Sequence, residues 1–139
     1  MSIAQIHGYV FGWAIIGSWL LVMVVALILR VARPNGDVPW FWKLVSAAQI
    51  ILGVQLLYGL FLFLRAWLGD GGLPGIGVFN HVFHPLYGFI FPGVVLFYGH
   101  KFSREERLHP LSAFAVVGLV NFGLTFRALM VAAPQFFGG

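Results

Sequence analysis

The sequence predicts an all-α integral membrane protein, a four-helix up-down bundle with both termini on the outer side of the membrane. The first observation is the composition of the 139 residues, of which 60% are hydrophobic and only 9% charged. A typical soluble domain is about a quarter charged, so this chain has too few polar groups to cover a water-exposed surface. Disorder is excluded as well, because disordered chains are poor in apolar residues.

The second observation is four apolar stretches, each long enough to cross a hydrocarbon core, which takes roughly 20 helical residues. We expect a single transmembrane domain over 1–139, with spans at about 8–29, 44–64, 79–99 and 110–133. Helices satisfy their own backbone hydrogen bonds in lipid. Because the first stretch has no basic segment before it and is too long for a signal peptide, we expect it to be a span.

The third observation is the uneven distribution of the cationic residues, which predicts the orientation. Six of the eight lie in or beside the first and third connections between spans. The other two, Arg65 and Arg127, lie toward the opposite ends of the second and fourth spans. By the positive-inside rule, the first and third connections face the cytoplasm, and both termini and the loop around Asp70 face outward. The first and third connections and their edges hold six: Arg30, Arg33, Lys43, Lys101, Arg104 and Arg107.

These features also predict location and partners. We expect a multi-pass protein of the bacterial inner (plasma) membrane, in contact with lipid and other membrane subunits. The net charge of +4 is read as a topology signal, so no nucleic-acid partner is expected. Short connections further predict that sequential helices are antiparallel neighbours.

Residue types limit the chemistry. The chain has no cysteine, which excludes disulfides, iron–sulfur clusters and a c-type haem. No acidic residue lies deep in a span, which counts against a proton-coupled carrier. The serines have no histidine at the same depth in the membrane, which counts against hydrolytic catalysis. No catalytic residue is predicted.

Polar residues from all four spans fall in the outer leaflet, and they fit a b-type haem. Such a haem takes two axial imidazoles from different helices, and His7 and His84 could supply them, with His81 as a substitute. The guanidinium groups of Arg65 and Arg127 would pair with the haem propionates. Ionisable groups at membrane depth are costly and usually face a site or each other.

The haem would also need space and walls. Gly88 lies one helical turn after His84 on the same face, where it would leave room for the ring, although close helix packing explains such a glycine equally well. The candidate aromatic walls lie on the same span: Phe83, Tyr87, Phe89 and Phe91.

Three alternatives remain open at this point. The histidines could sit in the headgroup region of a non-catalytic structural or assembly subunit, with or without a bound cofactor. His7, His81 and His84 could instead bind copper or zinc in a metal-handling or transport protein, since positions 81 and 84 share a helix face. A quinone headgroup would use amides of the spans together with a histidine.

Histidines at the inner side are interpreted as interfacial. His109 and His100 flank the third connection. On a regular helix His84 and His100 would lie roughly 160° apart around the axis, on nearly opposite faces, which counts against a second haem.

In its architecture, the chain resembles small four-helix membrane b-type cytochromes of the cytochrome b561-like kind. The resemblance rests on His7 and His84, with His81 as a further candidate, and on Arg65 and Arg127 near the same surface. It implies a haem-b-binding subunit for electron transfer within a larger respiratory or photosynthetic complex, and a quinone is among its candidate partners.

Overall fold

The computed structural model describes residues 5–34, 38–69 and 78–137, without the side chains at 66–67, 78–81 and 132–137. The expected outward loop around Asp70 lies outside these ranges, and so does the side chain of His81. Within the described part every regular element is helical, which confirms the all-α prediction. Four helices are long and apolar enough to cross a membrane, as expected.

The four spans are named α1 to α4 in chain order. α1 joins a π-helical turn, Ile6–Phe11, to an α-helix, Gly12–Ala32. α2 is Pro39–Leu68, and α4 is Pro110–Phe137. α3 has three parts: Val78–Pro85, a π-helical turn at Leu86–Ile90, and Phe91–Arg104.

The helices extend beyond the apolar stretches because their ends are set by backbone chemistry rather than by hydropathy. Pro39 and Pro110 each occupy the first position of a helix, where the missing N–H costs no hydrogen bond. Gly69 caps the C-terminus of α2 and donates its N–H to the Arg65 carbonyl. The true helices therefore include the charged residues that bounded the predicted spans.

The bundle is built around α1 and α4, which pack along most of their length. Gly118 of α4 lies so close to α1 that an added Cβ would be 2.7 Å from the Met23 backbone nitrogen. Small residues allow such backbone contact where lipid supplies no hydrophobic driving force. Among the largest fully buried side chains, five apolar ones come from α1, α2 and α4 and one from α3: Trp19, Val22, Phe41, Val45, Phe114 and, on α3, Pro92.

Neighbour relations differ from the prediction for one pair of helices. α2 packs on α1 and α3 packs on α4, but α2 and α3 touch only slightly. The expectation that all sequential helices are close neighbours is therefore wrong for this pair. A connection constrains the helix ends that it joins, whereas close approach of whole helices depends on the faces they present.

π-helical turns interrupt two spans at their histidines. The Gly12 N–H bonds to the carbonyl of His7, and the Phe91 N–H bonds to that of Leu86, each five residues back. In α3 the turn directly follows Pro85, which has no N–H and whose ring crowds the preceding turn. Such turns are rare and frequently mark functional sites.

The π-turn changes which residues of α3 share a face. One extra residue in a helix offsets its phase by about 100°. The predicted placement of His84 and His100 on nearly opposite faces assumed a regular helix and is therefore wrong. Both histidines contact α4, His84 at Ala128 and His100 at Phe114.

Contacts at the two ends show the up-down arrangement. At one end, which we call the His7 end, α1 and α3 begin and α2 and α4 finish, and His7 lies beside Gly59 of α2. At the opposite end, the His100 end, Arg30 of α1 donates a 3.1 Å hydrogen bond to Ser112 of α4.

Candidate functional site

His7 and His84 come together from different helices at the His7 end. Their imidazole centroids are 6.0 Å apart and their ring planes are inclined by 68°. Metal–imidazole bonds of about 2 Å place the centroids of two ligands on opposite sides of one ion roughly 6 Å apart. The observed separation therefore matches what two axial ligands of one metal require.

His84 has the protonation pattern of a metal ligand. Its Nδ1 lies 3.0 Å from the backbone carbonyl oxygen of Ala128. A carbonyl only accepts hydrogen bonds, so Nδ1 carries a proton, and in the neutral ring Nε2 then has the lone pair. Histidines that ligate metals usually donate their other ring N–H to a carbonyl or carboxylate in this way, which orients the ring.

His7 is held on the opposite side by α2. Its side chain is only 6% exposed, and the Gln55 amide nitrogen donates a 3.3 Å hydrogen bond to its backbone carbonyl. A Cβ on Gly59 would lie 3.3 Å from Cε1 of the His7 ring. The missing side chain at Gly59 therefore leaves the space that the imidazole occupies.

Two buried polar atoms at this contact lack hydrogen-bond partners among the described residues, Nδ1 of His7 and Oε1 of Gln55. Leaving a buried polar group unpaired costs about 1–3 kcal/mol, so both atoms require an explanation. Nδ1 of His7 can donate a hydrogen bond and Oε1 of Gln55 can accept one. The Gln55 amide nitrogen already binds the backbone carbonyl of His7. The two unpaired atoms are therefore chemically complementary, one a donor and the other an acceptor.

The remaining predicted haem residues lie at the same end in different settings. Arg65 near the end of α2 and Arg127 on α4 are both exposed, as propionate partners at an interface would be. Gly88 packs against α4, where an added Cβ would lie 3.6 Å from that of Ala128. Its position fits close helix packing and also keeps α3 next to the carbonyl that binds His84.

The predicted aromatic walls form two groups. Phe83, Tyr87 and Phe91 contact one another along α3, with centroid distances of 5.9 and 5.7 Å. Phe89 points elsewhere, into a groove between α2 and α3. Four-residue spacing explains the first group, since side chains at i and i+4 share a helix face.

A second polar pair lies toward the His100 end. His100 Nε2 is 2.7 Å from the Gln49 amide nitrogen, and its ring meets Phe114 edge-on with a centroid distance of 4.9 Å. The interpretation of His100 as a purely interfacial residue missed this pair. The sequence could have indicated this pair, because antiparallel helices bring Gln49 and His100 to the same depth in the bundle.

Polar residues in the middle of α4 make helix contacts rather than a site. Thr125 donates a 2.8 Å hydrogen bond to the Asn121 carbonyl, and the Asn121 amide reaches the Pro92 carbonyl at 3.5 Å. Both side chains are buried. The Asn121 bond connects α4 to α3, as hydrogen bonds between transmembrane helices do, whereas the Thr125 bond stays within α4. The contacts of the described residues bring neither side chain to a histidine, as a quinone site would require.

The described residues contain no cluster of three or more His, Asp or Glu side chains that could hold a metal. The three-histidine copper or zinc site depends on His81, whose side chain lies outside the description. Comparison with known proteins found no matching family model, no similar curated protein and no similar solved structure.

Proposed function

We propose that the protein is a membrane subunit that binds one haem b at the His7 end and serves in electron transfer, as part of a larger respiratory or photosynthetic complex. The observation that carries this proposal is the separation of 6.0 Å between the rings of His7 and His84. A pair of imidazoles from two helices at this spacing suits two axial bonds to one iron.

The chain's own residues fit the group. His84, oriented by the Ala128 carbonyl, would be one ligand, and buried His7 on α1 would be the other. Arg65 and Arg127 are exposed at the same end and would hold the propionates at the water interface. Bound haem b would supply a one-electron couple between ferric and ferrous iron, and the helices would set its ligation and burial.

The orientation belongs to the same proposal. The distribution of the cationic residues, six against two, supports a cytoplasmic His100 end and an outward His7 end that carries both termini. The haem would then lie in the outer leaflet of a bacterial inner membrane. An electron donor or acceptor outside the membrane would approach it at the end of the bundle that carries Arg65 and Arg127.

The decisive experiment is an absorption spectrum of the detergent-purified full-length protein, first oxidised in air and then reduced with dithionite, with metal analysis of the same sample. The proposal expects a Soret band that shifts and sharpens on reduction, and iron near one per chain. A colourless, iron-free protein, expressed with haem supplied and purified under conditions that retain haem b in comparable cytochromes, would overturn it. Copper or zinc in that sample would favour a histidine metal site instead.

A further inference from the structure

Between α2 and α3 the bundle is open, and a groove with a volume of about 290 Å³ remains there. Gly53 and Gly93 contribute to its lining, and an added Cβ at either position would meet no atom within 4 Å. Leu52 and Leu96 form apolar walls. The weak contact between α2 and α3 therefore leaves a lined space that lipid-soluble molecules can enter from the membrane.

One part of the groove is polar. Gln49 and His100 both line it, and their side chains are joined by the 2.7 Å contact. An amide and an imidazole together offer hydrogen-bond donors and an acceptor. None of the residues lining the groove carries a formal charge at neutral pH, so its chemistry favours a neutral headgroup over a phosphate.

The size of the groove limits its occupant further. Small-molecule pockets range from about 300 to 1,000 Å³, so this groove is near the lower end and takes a headgroup of a single ring. The glycines leave room for a flat ring, and Phe89 supplies an aromatic surface within the lining. A molecule as large as a haem would not fit this space.

We propose that the groove binds the ring of a lipid-soluble quinone or quinol, with Gln49 and His100 hydrogen-bonded to its oxygen atoms and its apolar tail among the lipids. This site is distinct from the histidine pair at the His7 end and goes beyond the haem function. Binding requires no electron transfer, so it holds whether or not a haem is present.

The test uses the full-length protein in lipid nanodiscs and a photoreactive quinone with one ring and a short alkyl tail. Cross-linked peptides are located by mass spectrometry, with and without excess unlabelled quinone. We expect adducts concentrated on the segments around Gln49 and around Phe89 to His100, and competition by the unlabelled quinone. Adducts spread evenly over the lipid-facing surface, without competition, would overturn the proposal.

Variants make the test specific. Gly93→Leu fills the groove and should reduce the competed labelling at least about fivefold, and Gly53→Leu should do the same from the other wall. Gly123→Leu is the matched control, because Gly123 also has open space around it but lies on α4, away from the groove lining. Equal labelling of all three variants would contradict the proposed site.

Three further measurements test the polar contact, distinguish a quinone from a phospholipid as occupant, and separate this proposal from the haem proposal. Gln49→Leu removes one hydrogen-bond partner and should weaken quinone competition by roughly fivefold to tenfold. A short-chain phospholipid should not compete, and competition equal to that of the quinone would overturn the assignment. His84→Ala should keep full labelling, so failure of the haem proposal leaves this result unchanged.

Discussion

Gln55 donates a hydrogen bond to the backbone carbonyl of His7 across the contact between α2 and α1. This bond holds the Gln55 amide beside the imidazole, where the amide oxygen and Nδ1 of His7 are two of the four buried side-chain atoms that lack hydrogen-bond partners among the described residues. His84, the partner of His7, is held from α4 by a hydrogen bond to the Ala128 carbonyl. The two histidines are thus fixed by different helices, α2 and α4, which sets their separation.

Replacing Gln55 by leucine should weaken haem binding. The change removes the anchor of the His7 backbone and the acceptor closest to its ring, and loss of such an orienting partner costs roughly 10–100-fold in metal affinity. The measurement is haem retention under increasing detergent or competing apo-myoglobin. Gln49→Leu is the control on the same helix and should leave retention unchanged.

His84→Ala should abolish the Soret band, whereas His100→Ala should leave it intact. The reason is that the rings of His84 and His7 lie 6.0 Å apart, the separation on which the proposed ligation rests, while His100 pairs with Gln49. Optical spectra of both purified variants check this. A normal band in the His84→Ala protein would show that the ligand assignment is wrong.

Gly59→Ala should perturb the axial ligand field. An added Cβ would lie 3.3 Å from Cε1 of His7, so the ring must shift by a few tenths of an ångström or rotate. Electron paramagnetic resonance of the oxidised protein should report changed g values. Gly53→Ala, the same substitution on α2 with open space around it, should give the spectrum of the unmodified protein.

Gly118→Ala should destabilise the bundle. Its Cβ would lie 2.7 Å from the backbone nitrogen of Met23 and 2.9 Å from its Cα, and overpacking typically costs about 1–3 kcal/mol. The midpoint of unfolding in increasing dodecyl sulfate should fall. Gly123→Ala meets nothing within 4 Å and should unfold at the original midpoint.

The proposed orientation can be tested by cysteine labelling, because the chain has no native cysteine. Glu106→Cys, in the connection between α3 and α4, should react with an impermeant maleimide only after the cells are opened. Leu68→Cys, at the far end of α2 and 80% exposed, should react in intact cells. The reverse pattern would place the His7 end at the cytoplasm.

Much of the fold could be predicted from sequence because lipid imposes a simple rule. A chain with four long apolar stretches must form helices, since unpaired backbone groups are too costly in hydrocarbon. The pairing of His7 with His84 could also be proposed, because antiparallel spans bring the starts of α1 and α3 to one end. The helix face on which each histidine lies could not be predicted, because the π-turn after Pro85 changes the phase of α3.

Composition and span length alone thus predicted four long apolar helices in up-down order, and the described residues form four such helices. The tertiary structure decided which helices touch, and it left α2 and α3 apart while Gly118 brought α4 against α1. It also decided the partners of the polar side chains, Gln55 beside His7 and Gln49 beside His100. The physical reason is that hydropathy acts on whole segments, whereas helix contacts and hydrogen bonds depend on rotation and spacing to within about an ångström.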